Sequence, residues 1–525
     1  MRSFGEPTKI ALVYPNTYHV GMSSLGFQIV YQILNTLPKT MAERFFMDES
    51  LPTSMESGLE ARRFDIIAFS ISYELDFLNV LQFLDRNQLP IHARERNDGD
   101  PLVVAAGVGV HMNRHPLAPF VDAFVFGDGE QTSVCLAQIH NDCGQDRREL
   151  LSRLANSPGF VVTEACREAY SLEAGSSGAR GGHATKREFS DGIPTPKVSS
   201  PKPSNSPEQL LVASLEAHDH ATQIYTEHTE FSGMGLVDLA RGCPHFCTFC
   251  YIGHNLESYR CRSLEQLRRL IDKVAAMSDR IGLVSSALGA HPDIDAVCLY
   301  ARSRNLKVAF SSLRVEEITP VMLRSLAESG QRMITIAPET GSLRLRRLLG
   351  KRLSDERCFE VVGEAADLGM QNVKLYTMIG LPSETDEEAL AIVDFVKQVK
   401  KRLLRAGKPR GRLGEVVVNL GIFTPKPNIP LARFGLRPLP ELRRRARLVT
   451  KALQRMSNVK VNVSSPTLAA AQTFLSMGRE DAAAYLETVF SNGGDWKRGL
   501  QSHRDAFESY VATEAAQKIE SVLTA

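Results

Sequence analysis

Apolar positions in this chain gather into short continuous runs separated by polar or glycine turns. Lys9-Ile-Ala-Leu-Val-Tyr14 is one such run, ended by Pro15, and Gly26 to Leu37 follows with apolar residues at helical spacing, Phe27, Val30, Ile33, Leu34 and Leu37. Asp65-Ile-Ile-Ala-Phe-Ser70, Leu102-Val-Val-Ala-Ala-Gly107 and Asp122-Ala-Phe-Val-Phe-Gly127 repeat the pattern. Strands apolar along their whole length are buried on both faces, which implies a parallel sheet covered by helices. Residues 1–165 are therefore expected to form a doubly wound, Rossmann-like domain of the flavodoxin type, with one more strand near Gly159 to Thr163.

The pattern then dissolves. Gly175 to Gly182 and Pro194 to Pro207 are rich in Gly, Ser and Pro, so 166–230 reads as a mobile or extended linker. Strand and helix alternation resumes in 231–435. Strands are expected at Leu236 to Ala240, Gly282 to Ser285, Val308 to Ser312, Met333 to Ala337, Val373 to Met378 and Val416 to Leu420. Helix punctuation between them is strong. Ser263 with Gln266 and Thr385 with Glu388 are capping-box pairs, Thr319-Pro320 is an N-cap followed by Pro, and Gly330 and Gly369 stand at helix ends. Such a unit predicts a partial (β/α)6, TIM-like barrel with its site at the C-terminal strand ends. Residues 436–525 read as a mostly helical, separate cap or tail with one short run, Val459 to Val463. The fold class is α/β.

Composition narrows the class further. The 525 residues, 43% hydrophobic and 23% charged with net charge +2, suit several globular domains and give no global reason for a polyanionic partner. No uncharged apolar stretch reaches the ~18 residues needed to cross a bilayer, and no secretory h-region opens the chain, so a cytoplasmic protein without a membrane partner is expected. Nine cysteines, an odd number of which only three cluster, fit a reducing compartment.

Those three are Cys243-Pro-His-Phe-Cys247-Thr-Phe-Cys250, directly after an apolar run and an Arg241-Gly242 turn. Three thiolates on one loop can hold three corners of a four-iron cubane and leave the fourth iron open, whereas four would close the site. A zinc knuckle is the competing reading, with His245 or His254 as fourth ligand. The spacing, with Phe249 before the last cysteine, resembles the radical S-adenosylmethionine (SAM) enzymes. That resemblance implies a 4Fe-4S cluster held by Cys243, Cys247 and Cys250. It also implies SAM on the open iron, and its reductive cleavage to methionine and a 5'-deoxyadenosyl radical. It further implies an electron donor such as flavodoxin or ferredoxin.

Later segments match the family in order. Ser285-Ser-Ala-Leu-Gly-Ala290 partly matches its Gly-Gly-Glu motif, and Gly380-Leu-Pro-Ser-Glu-Thr385 resembles its Gly-x-Pro-x-Glu-Thr segment, placing Gly380 and Pro382 near the adenine. Ser311 and Arg314 of Ser311-Ser-Leu-Arg314, and Glu339 of Ala337-Pro-Glu-Thr-Gly-Ser342, suit the SAM carboxylate and ribose. Phe249 and Tyr251 should border the adenine, and Glu339 should meet the ribose.

The N-terminal domain resembles the cobalamin-binding domain fused to many of these enzymes. Ser70 and Ser72 match a serine motif that lines the nucleotide-tail pocket, Gly107 and Gly109 match glycines that admit the ligand to the backbone, and Gly127-Asp-Gly-Glu130 follows the last strand. Relatives ligate cobalt through Asp-x-His-x-x-Gly; here the loop is Asn16-Thr-Tyr-His19-Val-Gly21, without the aspartate. Either cobalamin binds without a protein imidazole, or the domain is a scaffold that has lost it. Methylthiotransferases use three further N-terminal cysteines, and residues 1–134 contain none.

Three functions stay open: cobalamin-dependent methyl transfer to an unactivated carbon, a cobalamin-independent radical rearrangement or oxidation, and a non-catalytic RNA- or protein-binding factor with a structural cluster. The basic block Lys397 to Arg412 carries eight Lys or Arg and no acid. It reads as a solvated helix face, not a nucleic-acid surface, because no aromatics interleave with the charges. The substrate is not legible in the sequence.

Overall fold

The computed structural model describes residues 7–172 and 207–511 apart from positions 257, 312 and 412, so Gly175 to Gly182 and nearly all of Pro194 to Pro207 lie outside the described residues. The N-terminal sheet contains β1 (Thr8–Val13), β2 (Thr40–Phe45), β3 (Ile66–Ser70), β4 (Leu102–Ala106), β5 (Ala123–Val125) and β6 (Phe160–Val162) in the order β2-β1-β3-β4-β5-β6. The first five run parallel in the flavodoxin-like order, and β6 closes the edge antiparallel. The apolar runs became the central strands because both of their faces are covered.

The sequence pattern missed β2. Its residues Thr40-Met-Ala-Glu-Arg-Phe45 carry charge because β2 is an edge strand: Arg44 reaches Glu56 at 2.6 Å and Glu43 accepts from Ser57 at 2.5 Å.

All six expected core strands form, as β7 (Gly235–Arg241), β9 (Arg280–Ser285), β10 (Lys307–Phe310), β11 (Met333–Glu339), β12 (Asn372–Ile379) and β13 (Val416–Ile422); the short β8 (Arg260–Cys261) pairs antiparallel on β7. β10-β9-β7 and β11-β12-β13 are parallel sets, joined across the seam by a parallel bridge between Leu313 and Ile336. One apolar core runs through both sets, with Val237, Leu283, Val308, Ile336, Leu375 and Val418 fully inside. Helix ends follow the sequence signals. Thr385 and Glu388 form a full capping box, and Thr319 caps through Met322 N. At Ser263 only half of the box forms, because the Gln266 amide turns inward to the Leu215, Glu216 and His218 carbonyls.

Two expectations differ from the structure. Residues 207–230, read as part of a loose linker, are tied to both neighbours: Leu210 bridges Gly127, Ala221 bridges Val237, and Val212 N donates to Asp128 at 2.9 Å. Nor is the C-terminal region a separate cap. Val459 to Val463 is β14, a seventh parallel barrel strand beside β13, delivered by the helix Leu439–Gln454. The helices Pro466–Met477 and Glu480–Ser491 pack Phe474, Tyr485 and Val489 against Phe77, Leu81 and Phe83 of the N-terminal domain. Alternation in Val459-Lys-Val-Asn-Val463 hid this role, since an edge strand is only half covered. Of the basic block, Lys397, Lys400, Lys401, Arg402 and Arg405 lie on the C-terminal half of the helix Asp386–Gly407, where Lys397 pairs with Asp394 and Lys400 reaches Ser457. No helix among the described residues is long and apolar enough to cross a membrane.

Candidate active site

β7 ends at Arg241, and the cysteine loop runs from there into the short helix Tyr251–Asn255. The loop is clamped from three sides. Thr248 N donates to Leu349 O at 3.2 Å and Thr248 Oγ1 to Leu348 O at 2.7 Å; Leu431 N donates to Thr248 O at 3.2 Å; the His254 ring reaches Cys247 O at 3.1 Å. Gly253 is required by this folding back, because a Cβ there would stand 2.1 Å from His245 O. Phe249 seats on an apolar patch of Leu345, Leu348, Leu349, Leu381, Phe423, Leu431 and Phe434.

The three cysteines are free thiols, Cys247 buried and Cys243 and Cys250 half-buried. Burial pushes the Cys243 thiol up, and neighbouring Cys250 and Cys247 add to the rise by repulsion. Burial raises Cys247 also, against the opposing pull of the Arg314 and Lys351 cations; Arg314 Nη1 donates to Cys247 Sγ at 3.1 Å. Among the described residues no three His, Cys, Asp or Glu side chains converge tightly enough to hold one metal ion. A cubane takes three thiolates on three separate irons, whereas a mononuclear zinc site needs a fourth protein ligand. The two histidines that could have completed a zinc site are engaged: His245 pairs with Glu317, and His254 with Cys247 O and the Phe246 ring.

The remaining expected residues lie around the same strand ends. Ser311, just past β10, is exposed and lines a cavity of about 550 Å³ together with Ser285 and Ser286. Glu339 ends β11 at a register break with φ 63°, an uncommon backbone state for a carboxylate residue, and is buried. It accepts from Lys351 Nζ at 2.6 Å, while the same ammonium reaches Ala337 O at 2.6 Å. Gly380 N donates to Glu384 at 2.7 Å beside buried Pro382, and Glu384, pushed up to about 7 by burial, is held by Arg445 at 3.1 Å. Arg314, Glu339 and Gly380 thus already have protein partners. Tyr251 points away from the barrel: its hydroxyl donates to His111 O at 2.8 Å in the N-terminal domain.

On that side, Ser70 ends β3 half-buried, and Ser72 just beyond it is exposed. Gly107, at φ 104°, brings its backbone against Ile71, where a Cβ would fall 2.3 Å from the carbonyl oxygen, and Gly109 N donates to the same oxygen at 3.0 Å. Gly107 is thus required by the crossing of the β3 and β4 loops, while Gly109 packs closely on Ile71. His19 is exposed on the turn Tyr18–Gly21.

The cavity joins the two halves: Gly107, His111 and Asp128 wall it from the N-terminal domain, Asp238, Arg241 and Arg260 from the barrel. A buried charge network spans its edge. Arg241 donates to Asp128 at 2.6 Å and also pairs with Glu130, which His220 contacts in turn, and Arg260 reaches Asp128 at 3.3 Å. Burial raises Glu130, but the bonds from His220 and Arg241 hold it well below the usual carboxylate range. Sequence reading noted Gly127-Asp-Gly-Glu130 and Arg241-Gly242 separately; their pairing across 111 residues of chain has no local signal.

Residues 237–396 match the family model described as the radical SAM superfamily, and residues 26–163 the model for radical SAM proteins, N-terminal. The chain belongs to the radical SAM superfamily. This radical SAM protein is an enzyme. It is 23% identical over 480 residues to an uncharacterized protein of Methanocaldococcus jannaschii, covering 91% of this chain and 90% of that one. A cytidylyl-2-hydroxyethylphosphonate methyltransferase of Streptomyces wedmorensis shares 27% identity over 202 residues, 35% of this chain and 36% of that protein.

In fold, it resembles the radical SAM methyltransferase TsrM from Kitasatospora setae, solved with cobalamin and a 4Fe-4S cluster bound. The TM-score is 0.54 at 13% identity, over 95% of this chain and 100% of that one. The cobalamin-dependent radical enzyme OxsB, solved with aqua-cobalamin and SAM, matches with TM-score 0.50 at 14% identity, over 99% of this chain and 78% of that one.

Proposed function

We propose that this radical SAM enzyme holds a 4Fe-4S cluster on Cys243, Cys247 and Cys250, cleaves SAM reductively, and transfers a methyl group by way of cobalamin to an unactivated carbon. The observation that carries the reading is the shared cavity: the turn that launches the cysteine loop and the C-terminal ends of β4 and β5 open into one space of about 550 Å³. When bound, the cluster and SAM supply a 5'-deoxyadenosyl radical and cobalamin supplies a carrier for the methyl group.

The chain's own residues place and shield these groups. The Arg314 guanidinium lies against Cys247 Sγ, where it offsets thiolate charge. Lys351 fixes the Glu339 carboxylate and its strained backbone at the end of β11, the position suited to ribose hydroxyls. Tyr251, buried and bonded to His111, closes the seam between loop and N-terminal domain against water. Ser285, Ser286 and Ser311 offer hydroxyls on the barrel wall, while Ser70, Ser72, Gly107 and Gly109 stand at the ends of β3 and β4, where the corrin or its tail would rest. The similarity to TsrM and OxsB, solved with cobalamin, supports this placement of the corrin.

Anaerobic reconstitution followed by reduction with SAM tests the reading: 5'-deoxyadenosine and a retained corrin absorbance are expected. Gly107 is accounted for by its contact with Ile71 without any ligand, which leaves a cobalamin-independent radical reaction as the second reading. A cluster that cleaves SAM while the chain retains no corrin selects it.

A further inference from the structure

Reductive SAM cleavage needs one electron from outside the chain. Only one cysteine group clusters in the sequence, the other six cysteines are scattered, and Cys166, Cys298 and Cys358 among them are buried, so the sequence offers no second cysteine set to relay it. The carrier must therefore approach the cysteine loop itself.

That loop has one open edge. Phe246, between Cys243 and Cys247, is 60% exposed, an unusual state for an aromatic ring, and is held upright by an edge contact with His254 at 5.7 Å between ring centres. The segments that clamp the loop flank it with cations. Arg347 and Arg352 bracket Leu348 and Leu349, whose carbonyls bind Thr248; both are exposed, and neither forms an ion pair or a side-chain hydrogen bond among the described residues. Exposed Arg433 follows Leu431, the third clamp, and lies over the Phe434 ring at 5.0 Å. Of the acids on neighbouring segments, Glu317 pairs with His245 and Asp355 with Arg346, while exposed Glu356 stands four residues after Arg352. The result is an apolar knob beside the cluster loop with three uncompensated guanidinium groups on the elements that grip it. An exposed aromatic with an arginine rim is the composition of a protein-docking surface, and its charge selects an acidic partner.

We propose that Phe246 with Arg347, Arg352 and Arg433 forms the docking surface for an acidic one-electron carrier protein. The carrier is oxidised by one electron and the cluster reduced by one, with no proton or group transferred. The assignment rests on the cluster reading above.

The test uses the full chain, reconstituted and checked for iron, mixed in a stopped-flow with a reduced acidic flavodoxin while the loss of cluster absorbance is followed. In the double variant Arg347→Glu/Arg352→Glu, reduction by flavodoxin at low salt should slow by about tenfold or more and lose its steep ionic-strength dependence. Reduction by dithionite should keep its rate. Unchanged flavodoxin-driven rates overturn the proposal, as does equal slowing with dithionite, which would place the effect on the cluster. A change in sedimentation with unchanged rates would assign the patch to self-association and overturn it too. If the parent chain takes up no iron, the cluster reading itself fails, and this result is separate from all the others.

Discussion

The link between Glu74 and Lys426 gives the sharpest energetic prediction. Glu74, in the loop after β3, is 2% exposed and pairs with Lys426 from the segment after β13. It also accepts from Ser476 Oγ at 2.7 Å and Gln472 Nε2 at 3.1 Å, both on the C-terminal helix Pro466–Met477, so three regions of the chain meet on one carboxylate. Burial pushes Glu74 up, but Lys426 and the other donors outweigh it and leave the group below its ordinary value. Lys426→Met would strand a buried charge, which costs about 3–5 kcal/mol where nothing compensates. The two surviving hydrogen bonds place the loss near the lower end, about 3 kcal/mol. Glu74→Gln strands the ammonium instead and should cost a similar amount. With both changes neither charge of the pair remains buried, so the double variant should lose only about 1–2 kcal/mol and the coupling should reach at least about 2 kcal/mol. Because a lowered carboxylate stabilises above its unfolded value and loses that contribution as pH falls through the folded one, the single-variant penalty at Lys426 should shrink in acid. Urea unfolding followed by the fluorescence of Trp496, the single tryptophan, reads the helices that carry this contact. Strictly additive losses in the double variant would refute the reasoning.

Asp76, buried beside Glu74, is pushed up to about 6, first by burial and then by Glu74, against an opposing bond from Asn16. Its ionised form is disfavoured in the fold, so stability is full below about pH 4 and falls as pH rises through 6; Asp76→Asn should gain roughly 2–3 kcal/mol at pH 8 and nothing at pH 4, read by thermal unfolding at both. Gly253→Ala forces a Cβ into the His245 carbonyl and should cost about 1–3 kcal/mol, seen as iron uptake reduced well below the parent. Cys247→Ala should abolish cluster absorbance while far-ultraviolet circular dichroism keeps its native form, since the loop packs on a barrel core that contains none of its cysteines.

Central strands and the cysteine loop were legible for the same reason: each is coded by a contiguous stretch. β1, β3 and β4 are nearly continuous apolar runs, the six expected barrel strands each carry their buried apolar residues within one short segment, and the cluster loop is a spacing of one residue type. Elements at sheet edges were not, as with charged β2 and alternating β14, because half of an edge strand faces solvent or a polar neighbour. Nor could local sequence foretell pairs such as Arg241 with Glu130, Tyr251 with His111 or Glu339 with Lys351, in which an ordinary charged or polar residue acquires its role from a partner that only the fold brings near. The same limit applies to Arg314, whose guanidinium reads as a carboxylate binder in sequence and lies on a cysteine sulfur in the fold.

The proposed function requires one iron of a cluster on Cys243, Cys247 and Cys250 to stay open to SAM. Electron paramagnetic resonance of the dithionite-reduced, reconstituted chain with and without SAM tests it most directly. A signal from one reduced cubane whose g-values shift when SAM is added is the predicted result. A cluster signal indifferent to SAM, or tightly bound zinc in place of iron, would contradict the account.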